Sequence, residues 1–156
     1  MGDRKQAIVG KIESARGSLV DLVQSLDAES LGKPTCNEGW CVKDVIAHLA
    51  AAETGLRNIA NRAAKGESGA RPGFDLHAHN KEQVELRRGR TVDELLAEMA
   101  DSRVATLSFL EALPVDYLDK PGQLSSGLQL TVEGILNRIA EHEREHAEDI
   151  MKAISG

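Results

Sequence analysis

The sequence predicts an all-α fold, a single domain over residues 1–156 that forms an up-down four-helix bundle. Apolar residues recur every three or four positions in four long stretches, which is the period of an amphipathic helix. Only 3% of the residues are aromatic, whereas alanine and leucine are abundant, and this balance favours packed helices over a β-sandwich. A chain of 156 residues is also long enough to bury one apolar core.

The first two helices are separated by a loop with several helix-breaking residues. Helix one is predicted from about residue 3 to 26, and the stretch "ESLGKPTCNEGW" then ends the pattern with glycine and proline. Helix two is predicted from Val42 to Ala64, with Cys41 as its N-cap residue. Because a thiol caps a helix poorly, we expect this helix start to lose up to about 1 kcal/mol unless Asp44 in the first turn compensates.

The third helical region is predicted from about Phe74 to Leu113, with an interruption near "RRGRT". Thr91 and Glu94 form a T-x-x-E capping box there, so a new helix is expected to begin after Thr91. The following stretch, "LPVDYLDKPGQLSSGLQL", is predicted to be an irregular connection. Thr131 can cap a final helix that runs to about residue 153.

Trp40 is the only tryptophan and directly precedes the N-cap residue of helix two. A large apolar residue at this position often packs against the fourth helical residue, which is Val45. His48 lies eight residues after Trp40, which corresponds to about 12 Å along the helix axis at ~1.5 Å per residue. We therefore expect Trp40 to have a structural role and to lie away from any metal held by His48.

Charge and composition exclude several classes of function. The formal net charge is −6 and there is no basic block, which argues against a nucleic-acid partner. No window reaches about 18 consecutive apolar residues, and the first ten residues lack the apolar core of a signal peptide. We therefore expect a cytoplasmic protein without a membrane partner. The C-x4-C spacing of Cys36 and Cys41 predicts two reduced thiols, not a zinc ribbon.

Two histidines are predicted to lie on the apolar face of the final helix. At about 100° per residue, His142 and His146 lie roughly 20° on either side of Ile135, within the predicted buried stripe. Residues i and i+4 lie one turn apart on the same face, so both imidazoles can bind one metal ion. The alternative is a pair of hydrogen-bonded core histidines, but two unpartnered imidazoles would each cost desolvation energy.

The stretch from His142 to His146 also matches the H-E-x-x-H motif of zinc peptidases and its reverse, H-x-x-E-H. Peptidases of both kinds take their third ligand from further along the chain, and only ten residues follow His146. We therefore expect the third ligand to come from an upstream element. The candidates are His48, His77, His79 and carboxylates such as Glu53, which lies near the centre of the apolar stripe of its helix.

The stretch from Gly39 to Glu53, "GWCVKDVIAHLAAAE", resembles the signature of the DinB-like (DNA-damage-inducible) superfamily. The resemblance covers nearly the whole chain, and "GFDLHAHNKEQVELRRGRTVDELLAEM" is similar to the branch of mycothiol-dependent maleylpyruvate isomerase and related thiol S-transferases. It implies a four-helix bundle with a cavity open at one end. It also implies that the ligands of a divalent metal ion are His48, His142 and His146.

The same resemblance implies a metal-dependent thiol S-transferase or isomerase that acts on a small electrophile with a low-molecular-weight thiol. Three neutral imidazoles suit Zn²⁺ or Ni²⁺ and leave open positions, where the pKa of a bound thiol or water falls. The first alternative is a metal-dependent hydrolase in which Glu53 or Glu143 serves as a catalytic proton shuttle. The second is a metal-binding stress-response protein without enzymatic activity.

Self-association is a further expectation, because homodimers are common in the DinB-like superfamily. The alanine-rich helices of this sequence also allow helices to approach closely. We expect light scattering on protein separated by gel filtration at micromolar concentration to give the mass of two chains. A mass that corresponds to one chain under these conditions would contradict the prediction.

Overall fold

The structure is a computed structural model that describes residues 1–156. Four of its helices are long, with 21 to 24 residues each. The elements in chain order are α1 (Asp3–Gln24), α2 (Ala28–Leu31), α3 (Val42–Ala64), α4 (Leu76–Arg87), α5 (Val92–Ala112), a 3-10 helix (Val115–Asp119), β1 (Pro121–Gln123), β2 (Gln129–Thr131) and α6 (Val132–Ser155).

The long helices α1, α3, α5 and α6 form the bundle. α6 packs against both α1 and α3, while α5 packs mainly against α3 and also touches α1. α1 and α3 are consecutive long helices, yet they lie opposite each other across the bundle. The predicted all-α four-helix bundle is confirmed. The sequence did not specify which helices are neighbours in the bundle. No helix combines the length and apolarity that crossing a membrane would require.

The predicted helix starts are confirmed by their caps. The side chain of Asp44 accepts a hydrogen bond from the backbone N–H of Cys41 at 3.1 Å, and so compensates for the weak thiol cap. Thr91 and Glu94 form the predicted capping box at the start of α5. The hydroxyl of Thr131 accepts from a backbone N–H in the first turn of α6 at 3.1 Å. Each cap satisfies backbone donors that a helix start leaves unpaired.

The connection predicted to be irregular is partly ordered secondary structure, so that prediction was wrong in detail. It contains the 3-10 helix and an antiparallel hairpin in which Gly122 of β1 pairs with Leu130 of β2. Helix one also ends two residues before the predicted boundary, and the short α2 follows it. Strands of three residues carry no periodic signal, and this hairpin forms because it packs against α3 and α6.

The loop between α3 and α4 is attached to the hairpin at a position that only glycine can occupy. The N–H of Ala70 donates to the carbonyl oxygen of Gln123 at 2.9 Å. The neighbouring Gly69 has φ +100°, and a Cβ added there would lie 2.7 Å from the same carbonyl oxygen. Because positive φ and such a close approach both exclude a side chain, Gly69 permits this contact.

The bundle interior consists of two apolar clusters. The first lies towards the end of the bundle that carries the hairpin, and it includes Ile12, Ala63, Leu110 and Ile135. The second lies towards the start of α3, and it includes Leu19, Val45, Met99 and Ile150. In sequence, every long helix has buried charged or histidine side chains between its contributions to the two clusters. This middle layer contains the candidate site.

Gly122 provides a test of the packing between the hairpin and the bundle. An added Cβ would lie 2.8 Å from both Ala63 Cβ and Ile135 Cδ1. We expect Gly122→Ala to lower the free energy of unfolding by roughly 1–3 kcal/mol, the usual range for overpacking. Urea denaturation measures this change.

The matched control is Gly10→Ala in α1, where an added Cβ has no neighbour within 4 Å. An exposed helical glycine should gain up to about 1 kcal/mol on replacement by alanine. If both substitutions changed the free energy of unfolding in the same direction and by the same amount, crowding at Gly122 would not be the cause of the change.

Candidate metal centre

Three predicted histidines meet in the middle layer of the bundle. His48 comes from α3, and His142 and His146 lie one turn apart on α6, which packs against α3. One nitrogen from each ring lies within 4.8 Å of the others. The Nε2 atoms of His48 and His142 are 3.0 Å apart. The structure therefore brings together the predicted ligand set, while His77 is exposed on α4.

The three imidazoles are held in their neutral form. Burial, with a smaller contribution from the neighbouring His146, lowers the pKa of His48 to about 3. Burial also holds the pKa of His142 well below its ordinary value. The pKa of His146 is lowered by burial as well, although the carboxylate of Asp149 opposes the shift. Neutral imidazole nitrogens have free lone pairs, which is the form that binds metal ions.

The arrangement fits a tetrahedral ion. Zinc–nitrogen bonds of about 2.0–2.1 Å place tetrahedral nitrogen ligands about 3.3 Å apart. One pair of nitrogens is slightly closer than this, at 3.0 Å, and every pair lies within 4.8 Å. Small rotations of the imidazoles are therefore enough to bring three nitrogens to one ion, and a fourth position stays open.

Asp149 is a neighbour of the site that the sequence analysis missed. Its Oδ2 lies 3.1 Å from Nδ1 of His146, one turn away on α6. Its carboxylate also accepts from the side chains of Asn37 at 3.2 Å and Cys36 at 3.3 Å, in the loop before α3. A carboxylate on one ring nitrogen fixes the orientation of a metal-binding histidine and presents the other nitrogen to the ion. The i, i+3 spacing from His146 was the available signal.

Glu53 and Glu143, predicted as catalytic residues, lie in the same layer but bind arginines. Glu53 accepts from Nη2 of Arg16 at 2.9 Å and from Nε and Nη2 of Arg103 at 3.1 and 2.9 Å. It also accepts from the hydroxyl of Thr106 at 2.7 Å. Oε1 of Glu143 accepts from Nε of Arg16 at 2.9 Å. These contacts are structural ion pairs, and the proton-shuttle role stays a prediction.

The two arginines of this layer were also missed. Each stands among the buried positions of its helix, Arg16 between Ile12 and Leu19 on α1 and Arg103 between Met99 and Thr106 on α5. A charged residue within an apolar stripe needs a buried partner, which is the signal that points to the two glutamates. Burial raises the pKa of Glu143 in spite of Arg16, and its Oε2 has no hydrogen-bond partner.

Trp40 lies closer to the histidines than expected. Its ring centroid is 5.0 Å from that of His48, and it also packs against the apolar cluster that contains Val45. The packing of Trp40 against Val45 itself stays a prediction, and the expected distance from His48 was wrong. Helical side chains lean towards the N-terminus of their helix, so His48 reaches back towards the indole. Axial rise alone overestimates the separation of such side chains.

A cavity of about 390 Å³ adjoins His48 and His142. Its walls come from α3, from the loop before α4, from the start of α4 and from the hairpin turn. His79 lines it too, and the ring of His79 lies 5.1 Å from that of Phe74. Neither Glu53 nor Glu143 contributes to the walls. The cavity has the size of a small-molecule site and lies beside the candidate ligands.

The sequence matches the DinB superfamily over residues 11–150. The chain belongs to the DinB superfamily. A comparison with curated proteins found no match. Among solved structures, YfiT from Bacillus subtilis, described as a probable metal-dependent hydrolase with an unusual four-helix bundle topology, has a TM-score of 0.78 and 18% identity. The similarity covers 98% of this chain and 87% of YfiT.

Two other solved structures share the DinB fold. The mycothiol-dependent maleylpyruvate isomerase has a TM-score of 0.77 and 17% identity, over 96% of this chain and 63% of the isomerase. The chain thus spans less than two thirds of that enzyme. The colibactin self-resistance protein ClbS, in complex with a double-stranded DNA, has a TM-score of 0.73 and 16% identity, over 97% of this chain and 96% of ClbS.

The lowered pKa of His48 predicts a pH-dependent stability for the metal-free protein. In the unfolded chain a histidine has a pKa of about 6.5, whereas in the fold that of His48 is about 3. Between these values the unfolded chain binds a proton that the folded state excludes, so stability falls as the pH falls. We expect a loss on the order of 2 kcal/mol between pH 7 and pH 5 from this residue alone.

Chemical denaturation of chelator-treated protein at both pH values measures this loss. His48→Gln should reduce the pH dependence, because the variant has no imidazole to titrate at this position. The control variant His77→Gln, at an exposed position on α4, should keep the wild-type dependence. An equal loss in wild type and His48→Gln would show that other groups govern acid sensitivity.

Proposed function

We propose that this protein binds one divalent metal ion through His48, His142 and His146 and catalyses the attack of a small thiol on an electrophile held in the adjoining cavity. The single observation that carries the proposal is the convergence of three neutral imidazoles, two of which, those of His48 and His142, line that cavity. A structural metal site is normally closed by four protein ligands, whereas three ligands leave a position for a reactant.

When bound, a divalent ion such as Zn²⁺ or Ni²⁺ supplies a Lewis acid that lowers the pKa of a thiol or water in the open position. The residues of the chain have the other tasks. His48 and His142 face the cavity, and the carboxylate of Asp149 lies 3.1 Å from Nδ1 of His146, where it would orient that ring once the other nitrogen binds the ion. The indole of Trp40 packs against His48 and limits the rotation of its ring. The cavity places the electrophilic carbon of the substrate next to the sulfur.

The chemistry proposed is sulfur transfer or thiol-assisted isomerisation. The thiol gives up its proton to water, and its sulfur forms a bond with an electrophilic carbon of the substrate. In a transfer, the leaving group departs with the electron pair of the broken bond. In an isomerisation, the carbon–sulfur bond breaks again and returns the thiol. The similarity to a mycothiol-dependent isomerase supports this proposal at the level of the fold.

A metal-dependent hydrolase is the second candidate, and the similarity to YfiT over 87% of that protein favours it. In this reaction water takes the place of the thiol, and Glu53 or Glu143 would move the proton. The ion pairs of both glutamates with Arg16 and Arg103, and their absence from the cavity wall, weigh against that role. We therefore place the thiol reaction first.

Metal stoichiometry tests the foundation of the proposal. We expect about one divalent ion per chain, measured by elemental analysis after refilling chelator-treated protein. His48→Ala, His142→Ala and His146→Ala should lose this ion, because two imidazoles remain. Asp149→Asn should weaken binding by about 10–100-fold, the usual effect of removing a carboxylate behind a ligand. His77→Ala, at an exposed histidine on α4, is the control.

The reaction itself is tested with metal-filled protein, a chromogenic electrophile and added thiol. Thiol-dependent turnover that disappears in His48→Ala supports the transferase. Turnover without thiol that also disappears in this variant supports the hydrolase instead. Refilled protein that binds no metal ends both proposals, and bound metal without either activity leaves a metal-binding protein.

A further inference from the structure

The cavity wall is positively charged, although the protein has a formal net charge of −6. Three arginines line it, Arg62, Arg71 and Arg138, and none of the lining residues is aspartate or glutamate. We propose that the cavity is a binding site for an anionic group, such as a carboxylate, on one of the two reactants. Fixed cationic groups beside low-dielectric walls concentrate anions at such a site.

The side chain of Arg62 is held by one hydrogen bond, while both of its Nη groups remain available to a ligand. Its Nε donates to the carbonyl oxygen of Gly69 at 2.5 Å. Its two Nη groups make no hydrogen bond, so the guanidinium is oriented by the loop and presents its outer edge. A planar guanidinium presented in this way forms charge-assisted hydrogen bonds with a carboxylate.

Arg71 adds a second unpaired cation, from the loop between α3 and α4 that also accepts the hydrogen bond of Arg62. Its side chain is exposed and forms no ion pair or hydrogen bond. The loop is attached to the hairpin two residues earlier, through Gly69 and Ala70. This attachment brings Arg71 to the cavity wall, where its unpaired guanidinium can contact a bound anion.

Arg138 differs from the other two because acidic partners hold it. It donates to both oxygens of Glu145, at 2.8 and 2.9 Å, and lies 3.7 Å from Glu141. Its charge is therefore largely compensated, and the uncompensated charge of the wall comes from Arg62 and Arg71. The proposal depends on these two residues.

The remaining wall indicates the other part of the ligand. Phe74 and Leu76 line the cavity and are each 40% exposed. The other apolar side chains of the lining include Leu56, Ile59 and Leu124. Exposed apolar surface inside a cavity is stabilised when a ligand covers it. The geometry thus points to a ligand with an anionic group and an apolar body, in a volume of about 390 Å³.

This inference rests on the proposed function, because it assumes that a reactant binds in the cavity. Its test is an equilibrium binding measurement, which needs no turnover. A protein that binds anions but has no thiol-dependent activity would refute the proposed function alone. A protein that turns over thiol and electrophile without an anion preference would refute this inference alone.

The probes are benzenesulfonate and methyl phenyl sulfone, which have the same aromatic body and differ in charge. A sulfonate is a weak metal ligand, so its binding reports on the arginines more than on the metal. We expect calorimetric titration of metal-filled protein to show at least about tenfold tighter binding of the sulfonate, as one charge-assisted hydrogen bond provides. Added salt should reduce this preference.

Arg62→Gln and Arg71→Gln should each reduce the preference by about three- to tenfold. The control is Arg144→Gln, at an exposed position of α6 outside the cavity. It also removes one positive charge, but it should leave the preference for the sulfonate unchanged. Equal binding of both probes, no binding of either at millimolar concentration, or an equal effect of Arg144→Gln would overturn the proposal.

Turnover then identifies which reactant carries the anion. The electrophiles are 4-chloro-3-nitrobenzoate and its neutral relative 1-chloro-2,4-dinitrobenzene, and the thiols are 3-mercaptopropionate and 2-mercaptoethanol. The thiolate sulfur bonds to the ring carbon, chloride leaves with the carbon–chlorine electron pair, and the thiol proton passes to water. Arg71→Gln should raise KM for the anionic member of one pair only. An unchanged KM for both anionic reactants would contradict the anion site.

Discussion

A layer of two arginines and two glutamates fixes how the four long helices meet. Arg16 comes from α1, Glu53 from α3, Arg103 from α5 and Glu143 from α6, so each helix supplies one charge. A buried charge without its partner is very costly, and removing one member of such a set costs roughly 3–5 kcal/mol. A bundle of purely apolar stripes could pack in several registers, whereas this layer satisfies its charges in one.

The geometry of the candidate metal centre depends on that register. Glu143 directly follows His142 on α6, and Glu53 lies five residues after His48 on α3. Sliding α3 past α6 by one turn, about 5.4 Å, would separate the glutamates from the arginines that they share. The same shift would move His48 away from His142. The ion pairs of the two glutamates thus keep the histidine nitrogens close together, although the glutamates themselves are not candidate ligands.

Local signals were enough to predict the long helices, their caps and the pairing of His142 with His146. They left His48 as one of several candidates for a third ligand, and only the resemblance to the DinB-like superfamily selected it. The period of three to four residues, the capping residues and the i, i+4 spacing are all properties of a single segment. The contact of Trp40 with His48 and that of Asp149 with His146 depend on side-chain direction and on where a distant loop lies. The hairpin was missed for the same reason, because its three-residue strands are stabilised by packing against other elements.

The contact between Gly69 and Gln123 has a consequence for comparing this protein with others that share its fold. It joins two walls of the cavity, the α3–α4 loop and the hairpin, at a point with no room for a Cβ. A related chain could keep all three histidines and yet carry a larger residue at this position. Its loop would have to leave the hairpin, and its pocket would take a different shape. This glycine therefore bears on which relatives can share the shape of the cavity, whereas the histidines bear only on which can share the candidate metal ligands.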